Sequence, residues 1–125
     1  MNGGEISGNT ASSSYNSNGG GVCNSGIFTM KGGEISGNIN IISSNNSGGG
    51  GVFTTNSSFT KSGGIITGYL SDPLNGNVVK DSSGVVQNNR GHAVYVFSGP
   101  KRRESTAGPG VNLDSSKTGT AGGWE

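Results

Sequence analysis

The segment Asn2-Gly3-Gly4-Glu5-Ile6-Ser7-Gly8-Asn9 returns as Lys31-Gly32-Gly33-Glu34-Ile35-Ser36-Gly37-Asn38, with seven identities in eight positions at an offset of 29. Gly20-Gly21-Val22 returns as Gly50-Gly51-Val52 at an offset of 30, and Ile27-Phe28-Thr29-Met30 is echoed by Ser58-Phe59-Thr60-Lys61 at an offset of 31. A period near 30 residues restricts the chain to stacked architectures, in which each unit buries its apolar face only against its neighbours. A third copy decays to Gly63-Gly64-Ile65-Ile66-Thr67-Gly68, and the next valine of the glycine corner is Val94, 42 positions past Val52. The third repeat therefore carries an insertion of about a dozen residues, expected at Tyr69 to Asn77, where Asp72-Pro73 and Asn75-Gly76 both signal turns.

The unit is a β unit. Its apolar clusters are short, β-branched or aromatic, and flanked by polar residues, as in Glu5-Ile6-Ser7, Gly26-Ile27-Phe28-Thr29-Met30 and Gly51-Val52-Phe53-Thr54. Gly, Ser and Asn number 26, 20 and 15 of the 125 residues, while Ala appears four times, so turns dominate and a helical bundle is excluded. Three short strands and three corners fit one repeat, with equivalent strands stacked in parallel about 4.8 Å apart. The predicted fold is an all-β parallel β-helix, or β-solenoid, of about three coils of roughly 30 residues. Residues 1–98 form the repeats and 99–125 an irregular tail. A β-propeller fits less well, because a four-stranded blade takes about 40 to 50 residues.

In this arrangement Ile6, Ile35 and Ile66 form one interior ladder, and Val22, Val52 and Val94 another. A narrow coil needs few apolar residues, which accounts for a hydrophobic content of only 28% without invoking disorder. Asn9 and Asn38 share a corner where stacked amides bond to each other and to the turn backbone. Tyr69 is expected to break that corner ladder in the third repeat. Unpaired strand edges at Met1 to Ser7 invite pairing with another chain, and Trp124 is expected to fold over the last coil as a cap.

The Gly-Gly-Glu-Ile-Ser-Gly-Asn and Gly-Gly-Gly-Val motifs resemble the repeats of bacterial surface and secreted right-handed parallel β-helix proteins, over residues 1 to about 68. Gly50-Gly51-Val52 and Phe53-Thr54-Thr55-Asn56 are also similar to repeats of polymorphic outer membrane proteins. The tail from Ala107 to Glu125 resembles the closing segment of such proteins from host-associated bacteria. The resemblance implies an extracellular or cell-surface, adhesin-like role, with host proteins or glycans as partners. The chain opens in mid-repeat, without a basic and apolar leader, so upstream repeats of a longer chain are expected.

Candidate chemistry is sparse. A net charge of +1 supplies no field for nucleic acid, and no apolar run approaches the roughly 20 residues of a membrane span. Cys23 has no cysteine partner in the chain, and it aligns with Phe53 and Tyr95 in an outward-facing stack. Glu5 and Glu34 are expected one coil apart on an outer face, where a solvated pair outweighs a cation site. Asp72 and Asp81 flank the insertion and read as turn caps. His92 lacks a second histidine for a zinc set and reads as structural, and Lys101-Arg102-Arg103 reads as a solvated loop. No cofactor, metal or catalytic set is expected. The functional expectation is a non-enzymatic repeat module presenting a polar face to host molecules or neighbouring chains. The alternatives are a carbohydrate-active β-helix fragment with its site at the insertion, and a structural spacer or truncated gene product.

Overall fold

The clusters around Ile6, Ile27, Ile35, Val52 and Val94 lie in strands, and equivalent strands one period apart lie side by side. Gly84-Val85-Val86-Gln87, also expected as a strand, makes only a single antiparallel bridge from Val86 to Lys80. A computed structural model describes residues 1–13, 18–43, 48–55, 58–88, 90–97 and 101–103, and these residues are all-β, with no helix among them. The first repeat supplies β1 (Glu5–Ser7), β2 (Thr10–Ser13), β3 (Val22–Asn24) and β4 (Ile27–Met30). The second supplies β5 (Glu34–Ser36), β6 (Ile39–Ile42), β7 (Val52–Thr54) and β8 (Ser58–Lys61). The third supplies β9 (Ile65–Ile66), β10 (Val78–Asp81) and β11 (Val94–Val96), followed by β12 (Lys101–Arg103). Parallel pairing builds four sheets, β1-β5-β9, β2-β6-β10, β3-β7-β11 and β4-β8. The repeat thus holds four strands where three were expected. The additional one is the β2 position, which Thr10-Ala11-Ser12-Ser13 occupies without an apolar signal, and only its partner strand β6 brings out its extended form.

The interior consists of rows of like residues. Ile6 pairs with Ile35 and Ile35 with Ile66, while Val22 pairs with Val52 and Val52 with Val94. Ile35, Ile66, Val52 and Val94 are fully buried, whereas Ile6 and Val22, at the end of the stack, are half-buried. Phe28 and Phe59 add a third row, their rings stacked at 5.4 Å between centroids and 9° between planes. Met1 occupies the register place before Met30, its ammonium donating to Thr29 O at 2.7 Å and its carbonyl accepting from Lys31 N at 2.8 Å. On the other face of the β7 sheet, Phe53 stacks on Tyr95 at 6.0 Å and 5°.

Corner chemistry sets the register. Gly4, Gly33 and Gly64 hold φ of 84°, 92° and 78° just before the first strand of each repeat, a conformation that a side chain resists. At the next corner Asn9 donates through its N and Nδ2 to Asn38 Oδ1, at 3.1 and 2.9 Å. Asn38 repeats this toward Asn77 Oδ1, at 3.1 and 2.8 Å, and its Nδ2 also reaches Ile6 O and Ser36 O. The third rung is therefore Asn77, and Tyr69 does not interrupt the row. Asn77 and Val78 take the places of Asn38 and Ile39 in the register, so the insertion ends at Gly76 rather than Asn77.

Register also divides the inserted residues. The offset between paired residues is 31 at Ile35 and Ile66, 39 at Ile39 and Val78, and 42 at Val52 and Val94. Eight extra residues thus precede β10, and three more precede β11. Lys101–Arg103, expected within an irregular tail and a solvated loop, instead forms β12, antiparallel to β11. The rest of the expected tail, with its cap residue Trp124, lies outside the described residues.

Asn38 is fully buried and joins three repeats, whereas Asn9 is exposed at the end of the row. Asn38→Ala strands several buried polar groups and is expected to destabilise by about 3 kcal/mol or more, against about 1 kcal/mol or less for Asn9→Ala. Urea denaturation of both variants checks the difference, and similar losses would show that the row does not hold the repeats in register.

Candidate binding surface and the closed end of the stack

Outward residues also stand in rows. Glu5 pairs in register with Glu34, and Glu34 with Ile65, and all three are exposed. The two carboxylates sit one strand spacing apart in water, and an isoleucine takes the third place, so the acidic row does not extend. Among the described residues no three His, Cys, Asp or Glu side chains gather as a metal site would require. Cys23 lies in register with Phe53 and is exposed.

The insertion folds as an ordered loop. Asp72 Oδ1 accepts from Leu74 N and Asn75 N, each at 3.0 Å, and Oδ2 accepts from Asn75 Nδ2 at 3.1 Å. Ser71 N and Asp72 N both donate to Gly68 O, and Gly76 N donates to Asp72 O, which closes the loop upon itself. The Asn75 backbone N–H, then its amide, then the Leu74 N–H hold the Asp72 carboxyl below its ordinary pKa of 3.8. A folded pKa below the unfolded one means that this capping is present above pH 3.8 and lost as the pH falls through the folded value. The side chains of Leu70 and Leu74 are 56% and 92% exposed. Asp81 caps the second added turn in the same way, accepting from Ser83 N and Val85 N at 2.9 Å and from Gln87 Nε2 at 3.0 Å.

That second turn sends the chain back over its own strand. Gln87 N donates to Val79 O and Asp81 N to Val85 O, so residues 85–87 run antiparallel along the outer edge of β10. β12 covers the edge of β11 in the same antiparallel sense. Between these edges sits His92, fully buried, its Nδ1 accepting from Val79 N at 3.1 Å and its ring 5.5 Å from that of Tyr69. Acceptance at Nδ1 places the proton of the neutral ring on Nε2.

No protein-family model, curated protein or solved structure matches this chain.

The residues read from sequence as ladder members, Ile6, Ile35, Ile66, Val22, Val52, Val94, Asn9 and Asn38, are brought together in rows within the stack and form no pocket of convergent chemistry. Sequence reading missed Asn77, although its Gly-Asn-Val context was visible. It also missed Asn40, whose Nδ2 donates to Asn18 O and Gly49 O at 3.2 Å and ties β6 to the glycine corner. Lys61, in register with Met30, is fully buried, which its position opposite a methionine row alone could have signalled.

Two measurements probe this end of the molecule. Asp72→Ala is expected to speed amide exchange at Leu74 and Asn75 and leave Glu34 unaffected; unchanged exchange would show that the loop does not depend on the carboxylate. Burial lowers the His92 pKa from 6.5 to about 4, so its share of stability is full above pH 6.5 and is lost as pH falls toward 4. His92→Asn supplies an acceptor for Val79 N that takes no proton, and its Tm should fall less steeply than the parent's across that window. Parallel Tm profiles would exclude His92 as the titrating group.

Proposed function

We propose that the chain is a parallel β-helix module of a bacterial surface or secreted repeat protein, adhesin-like rather than enzymatic. It binds host extracellular proteins or glycans, or neighbouring chains, through its outer surface. The resemblance of its Gly-Gly-Glu-Ile-Ser-Gly-Asn repeats to those of bacterial surface β-helix proteins supports this setting, including the extracellular location. The observation that carries the binding role is the insertion loop, residues 69–76, on which Leu70 and Leu74 stand exposed while Asp72 holds the backbone that presents them. Ordered loops on a rigid scaffold are where binding residues concentrate, and a loop backbone fixed before contact loses less conformational entropy on binding. The in-register outer rows extend that contact along the stack.

The test uses the full chain immobilised against a panel of extracellular-matrix proteins and glycans. Binding to at least one is expected, and Leu70→Ser with Leu74→Ser should weaken it roughly tenfold or more, a typical loss for truncated anchor residues. Tm should stay unchanged. Absence of binding across the panel, or binding indifferent to the double substitution, would overturn this reading.

A further inference from the structure

We propose that the β1–β4 end of the stack is a docking face for one further repeat of the same sequence type, added in parallel and in register. The inference is independent of what the insertion loop binds.

The joint between the first two repeats shows what such a face requires. The Gly-Gly corner of the later repeat receives backbone of the earlier one: a Cβ on Gly32 would lie 2.7 Å from Asn2 O, and one on Gly33 2.5 Å from Gly4 O. Gly64 stands in the same relation to Gly33 O, at 2.6 Å. Gly3 and Gly4, the same corner in the first repeat, have nothing within 4 Å of a Cβ position. Gly4 is required by its φ of 84°, but the glycine at Gly3 meets no demand within the described residues and matches the one that an added repeat would make. The Asn row carries the same polarity. Asn38 Oδ1 and Asn77 Oδ1 each accept two hydrogen bonds from the asparagine of the repeat before, while Asn9 Oδ1 accepts none from the described residues. Met1, Ile6, Val22 and Phe28 lie half-buried against the core cluster at this end, in rows whose later members Met30, Ile35, Val52 and Phe59 are fully buried.

The opposite end is closed, which excludes a second copy of this chain as the parallel partner. Residues 85–87 occupy the edge of β10 and β12 that of β11. Asn38 N donates to the amide of the next asparagine, whereas Asn77 N donates to Thr67 O at 2.7 Å. Gly20 and Gly50 are the positions that admit the backbone of the next repeat, and the corresponding residue of the third repeat is His92, whose side chain fills that place. The partner must therefore leave open the edge that residues 85–87 and β12 cover in this chain. It needs a Gly-Asn corner to donate to Asn9 Oδ1 and a Gly-Gly-Gly corner to admit the carbonyls of Gly20 and Gly21.

A synthetic peptide of residues 1–30 has both corners and no closing segment, and serves as the probe for the full chain. Glu34 N donates to Gly4 O and Ile39 N to Asn9 O, so docking should engage the N–H groups of Glu5 and Thr10. Saturating peptide is expected to slow exchange of these two amides about tenfold or more. Gly3→Val, which meets no neighbour and no left-handed φ in the free chain, should keep the parent Tm and lose the protection. A peptide carrying Gly20→Val should give none. Lack of protection in the parent chain, or equal protection in Gly3→Val, overturns the proposal. So does protection without peptide that disappears on dilution, which assigns the face to a second copy.

Discussion

Buried amide hydrogen bonding along the Asn9–Asn38–Asn77 row is the interaction on which the stack depends. A parallel pair of short strands has no hairpin turn to set its register, and a slip by one residue would turn every inward isoleucine and valine to solvent. Asn38 prevents that slip by bonding forward to Asn77, back to Asn9 and Ile6 O, and within its own repeat to Ser36 O. Leaving any of these groups buried without a partner would cost more than an ordinary hydrogen bond contributes, so the correct register is strongly preferred over its neighbours.

This arrangement explains how a chain with 28% hydrophobic residues sustains an interior at all. Each repeat places only a few side chains inward, and the rows of Ile, Val and Phe touch their own equivalents above and below. Glycine corners let backbone approach backbone where any Cβ would intrude, which keeps the layers at strand spacing. The apolar content is low because the interior is narrow, and the glycine content is high because the corners are tight.

The two ends of the stack differ in kind. At the β1–β4 end the edges, corner glycines and amide acceptor keep the form they have between repeats. At the other end the added residues turn back antiparallel along β10, β12 follows suit along β11, and His92 takes the place of a corner glycine. Antiparallel returns end the repeat because they consume the backbone groups that the next parallel strand would need. The eight residues added before β10 raise the Asp72 loop with its exposed leucines, and the later return at residues 85–87 covers the β10 edge, so the surface proposed for binding and the closure both arise from departures within the third repeat.

The period, the strand type and the ladder rows were legible in the sequence, because near-identical segments 29 to 31 residues apart occupy equivalent places and β-branched residues mark the inward sites. The strand Thr10–Ser13 was not legible, since a polar segment becomes extended here only because β6 lies beside it. Nor was Asn77, whose place depends on how many inserted residues are looped out before the register resumes. The sequence by itself determined that like residues would stack with like at a period near 30. Tertiary structure decided where the stack closes and which edges stay open, because those outcomes depend on hydrogen bonds between residues such as Gln87 and Val79, or His92 and Val79, that no local pattern links.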